Sequence, residues 1–228
     1  MPRLRPQELR ARLRYDSEVM GGLGRDGLGA VRAFASAQDL RRGREVTPEE
    51  AQRGRAKFYS VEITFTHLVG GGRTANSSTV VFDLLSGGNY PFTSPQAHFV
   101  TRPLPLSPHV HPGNGWVCLG NGWARAGGKM LMAQLTVHVM RLVNFDEPGH
   151  HIDMGFNPEA ARYWRDVLGR RPYLPDLSYP RLPSELTHGV NVEAEDIFVP
   201  ANSGFRPVGV RDRSRANDSV FLPVTRRF

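Results

Sequence analysis

Residues 109–119 read HVHPGNGWVCL, and Cys118 within them is the only cysteine in a chain of 228 residues. A thiol attacks only as the thiolate, so its surroundings decide what it can do. His109 and His111 stand near enough in sequence to favour the ionised form. Gly113, Gly115 and Gly120 let backbone approach a bound group or expose a turn, and irregular, proline-flanked stretches carry function more often than core elements do. Three other uses of these residues stand beside the nucleophile. Cys118 could be a small buried hydrophobe, the ordinary fate of a free cysteine. With His109 and His111 it could ligate a metal, although a closed zinc site needs a fourth ligand and the spacing matches no structural zinc pattern. It could also serve a Cys–His hydrolase, which would need a third residue to orient the imidazole and an oxyanion hole.

The elements that must position this stretch follow from periodicity. Residues 6–20 pattern as an amphipathic helix, with Leu9, Leu13 and Met20 on one face and arginines forming a solvated face opposite; the glycines of MGGLGRDGLGA are expected to end it. A second helix is expected over 30–40. A third starts at Thr47-Pro48, a capping residue followed by proline at the first helical position. FYSVEITFTHL (58–68) alternates Tyr59, Val61, Ile63 and Phe65 with polar residues, the pattern of a half-buried strand. GGGRTANSS is expected to be a flexible turn, with strands returning over 79–85 and 96–100. Beyond Cys118 the period changes to helical, and Leu131, Leu135, Val139 and Leu142 share a face. A last helix opens at Asn157, a good N-cap, with Pro158 in its first turn and Gly169 to close it. Grouped strands followed by helices predict an α+β fold.

Composition narrows the setting. A single cysteine forms no disulfide within the chain, which favours a reducing compartment. The N-terminus has no apolar run resembling a signal peptide, and no stretch reaches the roughly 20 apolar residues needed to span a bilayer. A cytoplasmic protein without membrane contact is expected. The formal net charge is +7, the one argument for a nucleic-acid partner, which would bind with steep salt dependence. That partner is set aside, because the arginines are spread along the chain rather than gathered in a tract. Only Lys57 and Lys129 are lysines, a bias that a GC-rich genome produces by itself.

Several motifs in one order resemble the ubiquitin-conjugating enzyme family. Tyr90-Pro91-Phe92-Thr93-Ser94-Pro95 resembles its YPFxxP segment, and Asn114-Gly115-Trp116-Val117-Cys118-Leu119 its NGxICL, whose cysteine carries a thioester. Trp123 resembles the tryptophan after the active site, and the Asn157-Pro158-Glu159-Ala160-Ala161 helix start is also similar. With the first helix and the strands, the likeness covers about residues 6–168. There are departures. The family's His-Pro-Asn is here His111-Pro112-Gly113, the loop to the cysteine is shorter, and the residue after Cys118-Leu119 is Gly120 where an aspartate is common. His109, His111 or Asn114 could stand in for the missing asparagine.

The resemblance implies a ubiquitin-conjugating-like fold: an N-terminal helix, a four-stranded antiparallel meander, an irregular active-site segment and C-terminal helices. Residues 1–171 would be the catalytic domain and 172–228 a proline-rich extension packing on the core or a partner. It implies an acyltransferase that accepts a ubiquitin-like protein from an activating enzyme as a thioester on Cys118 and passes it to a target, with no cofactor and no metal. Asp146, Glu147 or Asp153 could assist the incoming amine. Divergence of this kind looks bacterial. Such proteins are encoded beside a ubiquitin-like protein, an activating enzyme and often a deconjugating metallopeptidase, commonly in anti-phage defence operons. The family's first helix docks the activating enzyme, which gives those arginines a second reading. Few lysines would also limit self-modification by a carrier of activated acyl groups. The rival is a non-catalytic adaptor with the same fold.

Overall fold

The computed structural model describes residues 3–25, 29–120, 123, 126, 128–144 and 155–169. The expected domain boundary near 171, the extension 172–228, the loop carboxylates Asp146, Glu147 and Asp153, and His150-His151 lie outside them. The architecture is α+β. Helix α1 (Pro6–Arg25) is followed by strand β1 (Val31–Phe34), short helices α2 (Ala37–Arg42) and α3 (Pro48–Gln52), then strands β2 (Phe58–Val69), β3 (Arg73–Asp83) and β4 (Gln96–Phe99). Helices α4 (Met132–Val143) and α5 (Pro158–Gly169) come last. The strands form one antiparallel sheet in the order β1-β2-β3-β4.

Alternation along β2 sends Tyr59, Val61, Ile63 and Phe65 to one face, where they meet Leu13, Met20 and Leu23 of α1 and Leu135 and Val139 of α4 in one core. Glu62 and Thr64 stay exposed on the other face, so the sheet carries helices on one side. Alternation fails past a register shift between Thr64 and His67. There Leu68 turns to Ala160 and Trp164 of α5 in a second, smaller cluster, and Trp164 Nε1 donates to the Leu106 carbonyl at 2.6 Å. The Tyr163-Trp164 pair thus packs.

Four expectations are corrected. Helix α1 runs on through Gly21, Gly22 and Gly24 to Arg25; Met20 and Leu23 are fully buried, and their packing offsets the roughly 1 kcal/mol that each glycine costs. Residues 30–40 are not one helix. Residues 31–34 pair with 58–61 as β1, and α2 begins only after Ser36, whose hydroxyl accepts from Asp39 N. The turn after β2 is confined to Gly70–Gly72, with positive φ at Gly71 and Gly72, so Arg73 already pairs with Val69. Helix α4 is not amphipathic: every residue but Arg141 is buried, as for a helix enclosed on all sides. Two capping expectations hold. Thr47 and Glu50 form a reciprocal capping box at α3, and Asn157 Oδ1 accepts from Ala160 N at 3.0 Å.

The arginine face of α1 also needs correcting. Arg10 and Arg14 are exposed, but Arg12 is fully buried with Asp16 one turn later. Arg12 Nε donates to Asp16 Oδ2 at 2.7 Å, Nη1 to the Gly128 carbonyl at 2.7 Å, and Nη2 to Tyr90 Oη at 3.3 Å and to the Met130 carbonyl. Tyr90 Oη donates to Asp16 Oδ2, and Asp16 Oδ1 accepts from Met132 N at 3.2 Å. Burial works against the Arg12 charge, yet Asp16 and Tyr90 hold its pKa above the ordinary value. Burial also drives the Tyr90 phenol well up, so it stays a donor.

Removing one partner of a buried pair strands the other, a cost of about 3–5 kcal/mol. Arg12→Met should lower the unfolding free energy by about that much in denaturant titrations, and Arg12→Met with Asp16→Leu should cost less than Arg12→Met alone. A second prediction concerns His67, fully buried, with Nδ1 donating to the Phe65 carbonyl at 3.0 Å and Nε2 accepting from Ser78 Oγ at 3.0 Å. Burial pulls its pKa below the ordinary 6.5, against the Phe65 hydrogen bond. The folded state therefore binds this proton less readily than the unfolded chain. His67's contribution is complete above about pH 6.5 and is lost as pH falls through the lowered folded pKa. His67→Gln should flatten that part of the stability–pH curve.

Candidate active site

The segment holding Cys118 extends the sheet. Beyond β4, Phe99 N donates to the Gly115 carbonyl and Val117 N to the Ala97 carbonyl, both at 2.9 Å, and His98 and Trp116 pair as an antiparallel bridge. Val110 and Val117 form a further bridge, closed by Cys118 N to the His109 carbonyl at 2.8 Å. Residues 115–119 therefore behave as a short strand. Val117 and Leu119 are buried, so the alternation turns Trp116 and Cys118 outward. Trp116 is 37% exposed and the thiol is half-buried. Gly115 is obligatory here: its φ is 75° and a Cβ would lie 2.1 Å from the Phe99 carbonyl oxygen.

The turn from His111 to Gly115 is tied by its own side chains. His111 Nδ1 accepts from Gly113 N at 3.1 Å and Asn114 N at 3.3 Å, and Asn114 Oδ1 accepts from Trp116 N at 3.0 Å. Arg102 Nη2 donates to the Gly113 carbonyl at 2.7 Å. His98 bonds the Asn114 backbone, which raises its pKa, but burial outweighs this and leaves it below the ordinary value. His111 and Asn114 thus build the loop, and His109 is buried with only 3% exposure. The main-chain N–H groups of His111 and of residues 113–118 are all taken up in this way. A glycine-rich loop offering free amides before the cysteine is not what forms.

Cys118 opens onto a cleft of about 260 Å³ whose other wall is Ser86, Gly87, Thr93, Ser94, Pro95 and Gln96. The Tyr90–Pro95 segment is thus held across from the thiol. It is clamped by Tyr90 in the Arg12 network and by Trp123, whose Nε1 donates to the Pro91 carbonyl at 2.8 Å. From below, His138 Nε2 bonds the Leu119 carbonyl at 3.0 Å. Buried on α4, His138 thus contacts the residue that follows Cys118. Ser86, Thr93 and Ser94 were missed; the signal was the hydroxyl pair inside YPFTSP.

Among the described residues the Cys118 thiol takes no hydrogen-bond partner, so no Cys–His pair is formed, and no group of three His, Cys, Asp or Glu side chains is placed to hold a metal ion. No helix among them is long and apolar enough to cross a membrane. No model of a known protein family matches this chain, and no curated protein matches it.

Gly115→Ala should lower the unfolding free energy by about 2 kcal/mol, from the left-handed backbone and the forced separation from Phe99. Gly70→Ala, which meets nothing within 4 Å, should stay within about 0.5 kcal/mol. Thermal and denaturant melts of the two variants check this.

Proposed function

We propose that this chain is a ubiquitin-conjugating-type acyl carrier, with Cys118 bearing the C-terminal carbonyl of a ubiquitin-like protein as a thioester. The observation that carries this reading is the presentation of the sole cysteine. Strand alternation turns it outward, at the rim of a cleft walled by the YPFTSP segment. On this reading the helix, four-stranded meander and later helices constitute a ubiquitin-conjugating-like fold, and the partners are an activating enzyme and the modifier, in a bacterial setting such as an anti-phage operon with a deconjugating metallopeptidase.

The chemistry is two acyl transfers. The Cys118 thiolate adds to the carbonyl carbon of the activating enzyme's thioester, and collapse of the tetrahedral oxyanion expels that enzyme's thiolate. An acceptor amine then adds to the new thioester, loses its proton, and the Cys118 thiolate leaves. Sulfur is an intrinsically strong nucleophile, and exchange between a thiol and a thioester asks for no strong base. An open cleft leaves room for two protein partners in turn. Both lysines, Lys57 and Lys129, are half-buried and neither lines the cleft, which suits a carrier that must not acylate itself.

The adaptor reading draws on one observation: Asn114 Oδ1 is spent capping Trp116 N, and among the described residues no asparagine lines the cleft beside Cys118. Incubation with the cognate activating enzyme, ATP and modifier separates the two. The carrier reading expects a reductant-sensitive adduct on Cys118, a stable ester or no adduct for Cys118→Ser, and none for Cys118→Ala. An adduct that persists in Cys118→Ala, or partner binding without any adduct in the parent, would overturn it.

A further inference from the structure

We infer that the main-chain N–H of Gly120 is the oxyanion donor of this site and that His138 is the positioning residue that aims it; the inference rests on the acyl-carrier reading. The N–H groups before and at Cys118 are committed within the loop or to β4, so a main-chain donor from this segment has to come from after the thiol. The two cis peptide bonds among the described residues precede Pro91 and Pro103, which leaves the Leu119–Gly120 peptide trans. In a trans peptide the carbonyl and the N–H point in opposite directions. The Leu119 carbonyl points inward, where buried His138 donates to it through Nε2 at 3.0 Å. The Gly120 N–H on the same peptide plane therefore points outward. Gly120 is exposed, lines the cleft with Cys118, and has a φ of 63° that favours glycine.

His138 stands on α4, whose first turn is fixed by Asp16 through Met132 N. The carbonyl it holds cannot rotate without breaking a buried hydrogen bond, so the donor is set before substrate arrives. That is the condition under which an amide stabilises a transition state rather than a ground state. When the Cys118 thiolate adds to a carbonyl carbon, the π pair moves onto oxygen and this N–H donates to it. Collapse returns the pair and expels the leaving group.

The test needs no protein partner. The full chain is acylated with p-nitrophenyl acetate, a reaction through a tetrahedral oxyanion read as p-nitrophenolate released, with Cys118→Ala as background. It is separately alkylated with iodoacetamide, a displacement with no oxyanion. His138→Leu should slow acylation by about tenfold and leave alkylation unchanged, and His138→Gln, whose amide can still donate, should restore acylation. An amide-to-ester replacement at Gly120 should slow acylation by about 100-fold, the effect of losing one such donor. It also decides the matter if His138→Leu does not fold. Acylation unaffected by the ester, or acylation and alkylation falling together, would overturn the inference. Unchanged ratios in a chain that still charges with modifier would sink this inference alone. A changed ratio in a chain that never charges would sink the carrier reading alone.

Discussion

A buried ion pair carries the load in this fold. Arg12 and Asp16 sit one turn apart on α1, both without solvent contact, and a pair so placed is tolerated only when its remaining donors and acceptors are met. Here they are met by Tyr90, by the carbonyls of Gly128 and Met130, and by the N–H of Met132. Those partners are the two arms of the candidate site. Tyr90 opens the segment that walls the cleft, and Met132 opens the helix that brings His138 beneath Leu119. One helix near the N-terminus thereby fixes the distance between structures some 80 and 120 positions later.

The thiol itself is positioned by simpler means. An added strand beside β4 dictates that Val117 and Leu119 face the core and Cys118 faces outward. The side chains of His111 and Asn114 close the preceding turn on itself, which makes the loop stiff but consumes its amides. On the acyl-carrier reading, presentation and oxyanion binding fall to opposite sides of the cysteine. On that reading the loop is a strut, and the electrophile is met on the far side.

Much of this was legible in the residues. Alternation in 58–68 located β2 and its inner face, and Thr47, Asn157 and their following prolines located two helix starts, because each is a local signal. The YPFTSP and NGWVCL motifs do lie on facing walls of one cleft. What failed was non-local. No local rule says that Val31–Phe34 would find an edge of β2, or that glycines after Met20 would be carried by burial of Leu23. Nor does helical periodicity distinguish Arg12 from Arg10 and Arg14; partners remote in sequence, Tyr90 and the carbonyls of Gly128 and Met130, complete the bonding that its burial requires. Of the three residues offered in place of the family's asparagine, His111 and Asn114 cap amides of the loop whereas His109 is buried, a division that proximity in sequence does not reveal.

The central claim is that Cys118 carries an acyl group in the cell. The most direct measurement is intact mass spectrometry of this chain isolated from its own host, under acid and without reductant. The account predicts a fraction heavier by the mass of a small protein, joined through that protein's C-terminal carboxyl to Cys118 and released by thiol or hydroxylamine. Finding Cys118 only as the free thiol, in cells where the modifier is activated and attached to other proteins, would contradict it.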